Sequence, residues 1–301
     1  MLIMARTPNQ FTLRKEMDYA CSMGPFRTLK SKWRTRRAMM EMVSRHVTPR
    51  PHCLGAPLIV SLTSYPKRYD VLHLTLTCLL CQTIMPDEVI LWISDEDFDQ
   101  LPDQVLMLQE RGLKIYRTQD LRSFNKIIPA LRRMPDAYIA TADDDIYYPA
   151  DWLEGLVKTA VACQGRIVAH RVHRILYDAA GQMESYERWT KNILQGHEGQ
   201  ALFATGVGGV LYPPQSLHAD VLREDLFMTL CPHGDDLWLY WMAQRQGSLV
   251  CHVGPKPRII EWPGSQQNAL RTVNRGTPNE SGNDHAIAAL TKYFSPNGIG
   301  R

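Results

Sequence analysis

The sequence has no long apolar run and little excess charge. No segment approaches the roughly 20 consecutive apolar residues that span a bilayer, and the N-terminus has no apolar core before a small-residue cleavage site. We therefore expect a cytoplasmic protein, attached at most to the inner face of a membrane. The net charge of +3 over 301 residues gives no case for a nucleic-acid partner.

The cysteines have no regular spacing. Of the seven cysteines, Cys78 and Cys81 have C-x-x-C spacing, but no second pair completes a zinc site. The count is odd and the positions are scattered, so we interpret the cysteines as buried thiols of a reducing compartment. Internal repeats are also absent. The hydrophobic fraction of 45% is nevertheless ample for a sizeable core.

Residues 1–56 form a basic N-terminal extension. Between Arg27 and Arg50 eight lysines and arginines stand against the single acid Glu41. Residues 28–47 are predicted to form a helix, for which two interpretations remain open. Its cations could lie on anionic lipid headgroups, or the helix could pack on the domain and leave a solvated basic face. Prolines and a glycine between Pro49 and Pro57 then mark a boundary.

Strand-like and helix-like segments alternate from residue 57 to residue 253. Short β-branched runs predict strands at 58–63, 88–93, 113–116, 137–141, 166–170 and 248–252. Apolar periodicity predicts helices at 69–82, 101–111, 125–133, 151–162, 215–222 and 237–242. This order is typical of an α/β fold with a mostly parallel sheet flanked by helices. Residues 254–301 are predicted to be a loop-rich tail with one short helix at 284–293.

Three adjacent carboxylates, Asp143, Asp144 and Asp145, follow the fourth predicted strand. Like charges repel unless a cation neutralises them, and Mg²⁺ or Mn²⁺ prefers oxygen ligands. Open α/β sheets bind ligands at the carboxyl ends of their strands, so this position predicts a metal or nucleotide site. The alternative is a solvated acidic turn.

A second acidic pair, Asp235 and Asp236, precedes an apolar helix. A carboxylate whose pKa is raised by burial or by a like-charged neighbour is a good general base. We favour Asp235 as this base, with Asp236 as its partner. The alternative is that the two side chains only cap the helix.

Four segments together resemble a known family. They are residues 59–68, 125–131, 141–145, and 206–214 with 234–238. In this order they are similar to the first strand and loop, the helix before the metal strand, the DxD element and the acceptor region of GT-A glycosyltransferases related to family 2. The resemblance spans residues 58 to about 250. It implies a GT-A domain at 57–253, with a nucleotide-binding half at 57–145 and an acceptor half at 146–253.

The resemblance implies an inverting, metal-dependent transferase. Its donor would be a nucleotide sugar, UDP-linked, and its acceptor a glycan or lipid-linked glycan in the synthesis of polysaccharide, capsule or lipopolysaccharide. Mn²⁺ or Mg²⁺ would be held by Asp145, with Asp143 and His285. The donor would meet Thr63, Tyr65, Arg68, Asp95, Lys126, Asp143 and Asp144. The acceptor would meet Gly208, Gly209 and Trp189, and Asp235 and Asp236 would be catalytic. For His285 and Lys126 the alternative is a solvated helix residue, and for Trp189 a core residue.

Two other functions fit parts of the pattern. A nucleotidyltransferase of the same fold class would need a glycine- and lysine-rich loop after the first strand, and residues 64–68 contain no glycine. A non-catalytic carbohydrate-binding module would leave both acidic groups without a reason to stand at strand and helix ends.

Overall fold

The structure is a computed structural model that describes residues 25–193, 198–199, 201–254, 259–264 and 282–294. Within these residues eight strands form a mixed sheet: β2 (Leu58–Thr63), β4 (Glu88–Ser94), β5 (Leu113–Thr118), β6 (Tyr138–Thr141), β7 (Ile167–Ala169), β9 (Glu198–Gly199), β11 (Val210–Tyr212) and β12 (Val250–His252). Their order in the sheet is β5-β4-β2-β6-β11-β7-β12-β9. Two small sheets pair β1 (Arg50–Pro51) with β3 (Ile84–Met85), and β8 (Val172–Arg174) with β10 (Leu202–Ala204).

Helices cover both faces of the large sheet. They are α1 (Pro25–Val43), α2 (Tyr69–Leu80), α3 (Asp103–Leu106), α4 (Ile128–Arg133), α5 (Trp152–Ala162), α6 (Glu224–Leu230), α7 (Asp235–Gln246) and α8 (Gly282–Phe294). Short 3₁₀ helices lie at Pro66–Arg68, Phe98–Gln100, Met107–Arg111, Arg122–Lys126, Tyr186–Arg188 and Ala219–Leu222. The predicted α/β class, with a mostly parallel sheet flanked by helices, is confirmed.

The sheet separates two hydrophobic cores. Successive side chains of a strand point to opposite faces. Ile59 of β2 accordingly packs in the core beneath α4 and α7, whereas Val60 and Leu62 pack in the core beneath α2 and α5. A strand buried on both faces reads as a continuous apolar run, which explains why β2 has the predicted bounds.

β11 interrupts the parallel order. It lies antiparallel between β6 and β7, with Leu211 opposite Ala140 on one side and Val168 on the other. By contrast, β2, β4, β5 and β6 are mutually parallel. The carboxyl ends of these four strands therefore share one edge, as expected from the sequence.

Two predicted helices differ from the observed ones, and one strand was not predicted. The helix expected at 125–133 begins only at Ile128 with Pro129 in its first turn, because proline suits a first helical turn and does not kink this helix. The helix expected at 215–222 is a 3₁₀ turn at Ala219–Leu222. The structure also has a strand, β8, in a segment where the sequence predicts neither strand nor helix, and it pairs antiparallel with β10.

The cysteine prediction also needs correction. Cys163 and Cys251 are joined in a disulfide, and Cys53 is exposed, so an interpretation of all cysteines as buried thiols is wrong. Cys78 and Cys231 are buried and free, as expected. Cys21 lies outside the described residues. No helix in the described ranges is long and apolar enough to cross a membrane.

Gly208 and Gly209 lie under the indole of Trp152. Trp152 Nε1 donates to the Gly208 carbonyl at 2.7 Å, and a Cβ on Gly209 would stand 2.6 Å from the indole ring. Gly209 also has φ +98°, a conformation that side chains disfavour. The backbone thus approaches a tryptophan closely here. The contact with Trp152 gives Gly209 a packing reason to lack a side chain, and the acceptor role of Gly208 and Gly209 stays a prediction.

We expect Gly209→Ala to lower the free energy of unfolding by about 2–4 kcal/mol, because it combines overpacking with a strained φ. Gly247→Ala is the matched control, since Gly247 has φ +76° but no atom within 4 Å of a Cβ; its cost should be about 1 kcal/mol. Denaturant unfolding measures both. Equal losses would show that contact with Trp152 is not the constraint at Gly209.

Candidate active site

Lys126 links the two acidic groups that the sequence separates. Its Nζ lies 2.7 Å from Asp235 Oδ2 at the start of α7 and 3.7 Å from Asp143 Oδ1 beyond β6. The residue is 8% exposed. The carboxylates raise the pKa of Lys126 well above its ordinary value despite the opposing effect of burial, so its ammonium is charged at neutral pH. The solvated-helix interpretation of Lys126 is therefore wrong.

The backbone around Lys126 is fixed by the sheet. Lys126 ends the 3₁₀ helix Arg122–Lys126, and its carbonyl accepts a 2.7 Å hydrogen bond from Ser61 Oγ in β2. Ser61 Oγ in turn accepts Trp92 Nε1 of β4 at 2.9 Å. Two central strands thus hold the loop that carries the ammonium group.

The acidic triplet has a different partner at each residue. Asp145 forms a buried ion pair with Arg68, which follows β2. Asp144 Oδ2 accepts Ser64 Oγ at 2.6 Å, and the Asp143 amide donates to Tyr148 Oη at 2.8 Å. Burial, reinforced by the charge of Asp145, raises the pKa of Asp144 to about 7. The triplet is therefore not a solvated turn.

The start of α7 holds the second acidic pair. Gly234 is the N-cap residue, and no side chain caps the helix, so the capping interpretation of Asp235 and Asp236 is wrong. Asp235 is ion-paired with Lys126. Asp236 Oδ1 accepts the Gly206 amide at 2.9 Å. Burial, followed by the charge of Asp235, raises the pKa of Asp236 to about 7.

Gly206 lets these groups meet. A Cβ at this position would stand 2.8 Å from both Lys126 Nζ and Asp236 Oδ1. A side chain at position 206 would therefore displace Lys126 or Asp236 from its present position, and glycine avoids this displacement. Sequence reasoning noted the glycine-rich stretch but assigned its role to Gly208 and Gly209.

Five carboxyl groups share two cations at this site. Asp143, Asp144, Asp145, Asp235 and Asp236 surround Arg68 and Lys126. The described residues contain no group of three or more His, Cys, Asp or Glu side chains that would bind a metal on their own. Mg²⁺ needs only one or two protein carboxylates when substrate phosphates complete its shell. The oxygen donors and their excess negative charge fit a hard divalent cation of this second kind.

Other predicted donor residues lie at the same sheet edge. Thr63 ends β2, but its hydroxyl donates to the Trp92 carbonyl at 2.8 Å. Tyr65 is half-buried and precedes the 3₁₀ helix that carries Arg68. Asp95 is exposed just after β4. Their predicted contacts with a donor stay predictions.

Two predicted site residues lie elsewhere. Trp189 is 2% exposed and packs against Phe203, with ring centroids 5.2 Å apart. A sugar cannot stack on a ring buried in this way, so its predicted acceptor role is wrong. His285 is an exposed residue of the first turn of α8. It joins no group of possible metal ligands in the described chain, so the predicted set of Asp143, Asp145 and His285 is not assembled.

A family model named Glycosyl transferase family 2 matches residues 60–217, more than half of the chain and all of the site except α7. The chain belongs to this family. The resemblance to family 2 of the GT-A glycosyltransferases that the sequence pattern indicated is thereby confirmed. A comparison with curated protein sequences finds no match.

Solved structures give distant likenesses to this family 2 glycosyltransferase. The mannosyltransferase PcManGT from Pyrobaculum calidifontis, solved with GDP-Man and Mn²⁺, is 17% identical with a TM-score of 0.33. The match covers 52% of this chain and 43% of that protein, so the chain spans less than half of its length. A 4-diphosphocytidyl-2C-methyl-D-erythritol synthase from Anaerococcus prevotii is 14% identical over 80% of this chain and 97% of that one, with a TM-score of 0.44.

We expect Asp236→Asn to stabilise the ligand-free enzyme at pH 8. The pKa of Asp236 rises from 3.8 to about 7 on folding, so its folded carboxyl binds a proton more tightly. Its contribution to stability is complete below pH 4 and is lost as the pH rises to about 7. The amide variant avoids this loss and keeps an acceptor for Gly206. Its advantage over wild type should grow by about 1–3 kcal/mol between pH 5 and pH 8.

Thermal or denaturant unfolding at both pH values measures this difference. Asp225→Asn is the control, because Arg223 lowers the pKa of the exposed Asp225 and its carboxyl stays ionised over this range. A gain for Asp236→Asn that is the same at pH 5 and pH 8 would contradict the raised pKa.

Proposed function

We propose that this glycosyltransferase moves a sugar from a nucleotide-sugar donor, UDP-linked, to a hydroxyl of a glycan or lipid-linked glycan acceptor. The reaction inverts the anomeric centre and serves the synthesis of polysaccharide, capsule or lipopolysaccharide. One observation carries the proposal: Lys126 holds Asp143 and Asp235 in one cluster. A carboxylate of the donor-binding triplet therefore lies close to the acidic pair at the start of α7, which contains the proposed base Asp236, and direct displacement requires this proximity.

In this proposal the acidic triplet and the cation paired with it bind the diphosphate of the donor. Asp143 and Asp145 would hold Mn²⁺ or Mg²⁺, which as a Lewis acid stabilises charge on a departing diphosphate. Arg68 is ion-paired with Asp145 and follows the carboxyl end of β2. From there its guanidinium can also offset the charge of the diphosphate. Thr63, Tyr65 and Asp95 line the route that a nucleoside would take along that edge.

The base is Asp236 in this proposal, a revision of the sequence-based preference for Asp235. Asp235 is committed to the Lys126 ammonium, and its charge raises the pKa of its neighbour. A base whose pKa is near 7 accepts protons efficiently at neutral pH. As the acceptor oxygen bonds to the anomeric carbon, Asp236 takes the hydroxyl proton and the bond to the diphosphate oxygen breaks with its electron pair.

The alternatives have less support. A nucleotidyltransferase would use backbone amides of a glycine-rich loop after β2, and residues 64–68 contain no glycine. A non-catalytic module gives no account of two buried carboxyl groups whose pKa is near 7. Cytoplasmic localisation stays a prediction.

We expect Mn²⁺ together with the cognate nucleotide sugar to raise the melting temperature of the enzyme, since a ligand that binds the native state stabilises it. A screen of nucleotide sugars with and without Mn²⁺ identifies the donor. Asp145→Asn should abolish the Mn²⁺-dependent part of the rise. Asp136→Asn is the matched control, because Asp136 is exposed before the opposite end of β6. A full rise in Asp145→Asn would rule out its role.

Asp236→Asn should lower turnover by about 100-fold or more, the range of general-base catalysis, and leave nucleotide affinity within about twofold. Asp235→Asn should lower turnover and also weaken donor binding, because it releases Lys126. Transfer kinetics and calorimetry with the donor found by the screen separate these effects. An Asp236→Asn variant with near-normal turnover would return the base role to Asp235 or to water.

A further inference from the structure

Helix α1 has an inner face and an outer face of different character. Thr35 and Ala38 are 8% and 3% exposed, and Met42 packs against the core beneath α2 and α5. These positions recur every three to four residues, as one face of a helix requires. The helix therefore packs on the domain, as one of the two sequence interpretations expected.

The outer face is apolar and cationic at once. Trp33 is 60% exposed, Met40 59% and Val43 79%. The same stretch presents four exposed cations, Lys32, Arg34, Arg36 and Arg37, and the Arg37 guanidinium lies 5.7 Å from the centroid of the Trp33 ring. Its one acid, Glu41, is engaged by Arg45 and Tyr147.

We propose that this outer face of α1 docks the enzyme on an anionic lipid surface. Tryptophan and methionine insert at the boundary between headgroups and acyl chains while arginine and lysine pair with lipid phosphates. Charge complementarity selects this occupant: the chain as a whole carries only +3, whereas the exposed surface of this helix carries four cations and its one acid is already paired. A nucleic acid would pair with the cations but would offer no apolar environment to the exposed side chains of Met40 and Val43.

The anchor of α1 connects this surface to the carboxyl cluster. The Arg45 side chain is 2% exposed, and its Nη2 donates to the Tyr148 carbonyl at 2.8 Å. Tyr147 Oη donates to Glu41 at 2.7 Å. Tyr147 and Tyr148 closely follow Asp145, and Tyr148 Oη accepts the Asp143 amide. Docking would bring the acidic loop to the bilayer, where a lipid-linked acceptor lies. The proposal rests on the proposed function only for this acceptor.

Vesicle flotation of the full chain tests the docking. Wild type should bind vesicles of phosphatidylcholine with about one-third phosphatidylglycerol, and should not bind phosphatidylcholine alone. Arg36→Gln with Arg37→Gln should weaken binding at least tenfold, from the loss of two lipid-paired cations. Trp33→Ala with Met40→Ala should weaken it several-fold at unchanged charge.

The matched control is Arg132→Gln with Arg133→Gln, an adjacent exposed arginine pair on α4, across the sheet from α1. It removes the same charge and should bind as wild type does. The proposal would be overturned by an equal loss of binding in the Arg36/Arg37 and Arg132/Arg133 variants. Wild-type binding to neutral vesicles as strong as to anionic ones, or no binding to anionic vesicles, would also overturn it. The assay needs no nucleotide, so its outcome is independent of the donor screen. Melting temperature in each variant confirms folding.

Discussion

The buried ammonium of Lys126 is the interaction on which the site depends. Carboxylates taken from water need compensation, and five of them stand at one end of the sheet. Lys126 and Arg68 supply two charges from fixed backbone, one hydrogen-bonded to β2 and the other following it. Burial first, and the charge of a neighbouring aspartate second, raise the pKa of Asp144 and of Asp236 to about 7, because the two cations offset these effects only in part. A fold that keeps this excess negative charge is ready for a ligand that brings positive charge.

The same imbalance separates the roles of two neighbouring residues. Asp235 and Asp236 are identical in type and adjacent in sequence, so sequence alone gave no firm basis for choosing between them. The structure distinguishes them by their partners: Lys126 pairs with one, and the Gly206 amide donates to the other. A charged carboxylate beside a carboxyl with a pKa near neutrality is a common way to prepare a base.

The sequence predicted the elements whose signals are local. Apolar runs located β2 and β4 almost to the residue, and the alternation of strands and helices predicted the fold. Features that depend on residues distant in the chain could not be predicted from the sequence. Cys163 meets Cys251 because β7 pairs with β12, and no spacing rule encodes that neighbourhood. Gly209 packs against Trp152, and Trp189 packs in the core. Tertiary packing decides both contacts, so the sequence alone does not reveal them.

The basic extension shows why a two-way choice from sequence can be incomplete. Packing on the domain and contact with a surface were treated as alternatives for α1, yet a helix has room for both on opposite faces. Its inner face and the Arg45 anchor hold it against the acidic loop, while Trp33 and its neighbouring arginines face outward. Because Arg45 ties the end of this helix to the Tyr148 carbonyl, a surface that fixes the outer face of α1 also fixes the position of the neighbouring loop. In this enzyme, that is the loop carrying Asp143 and Asp145.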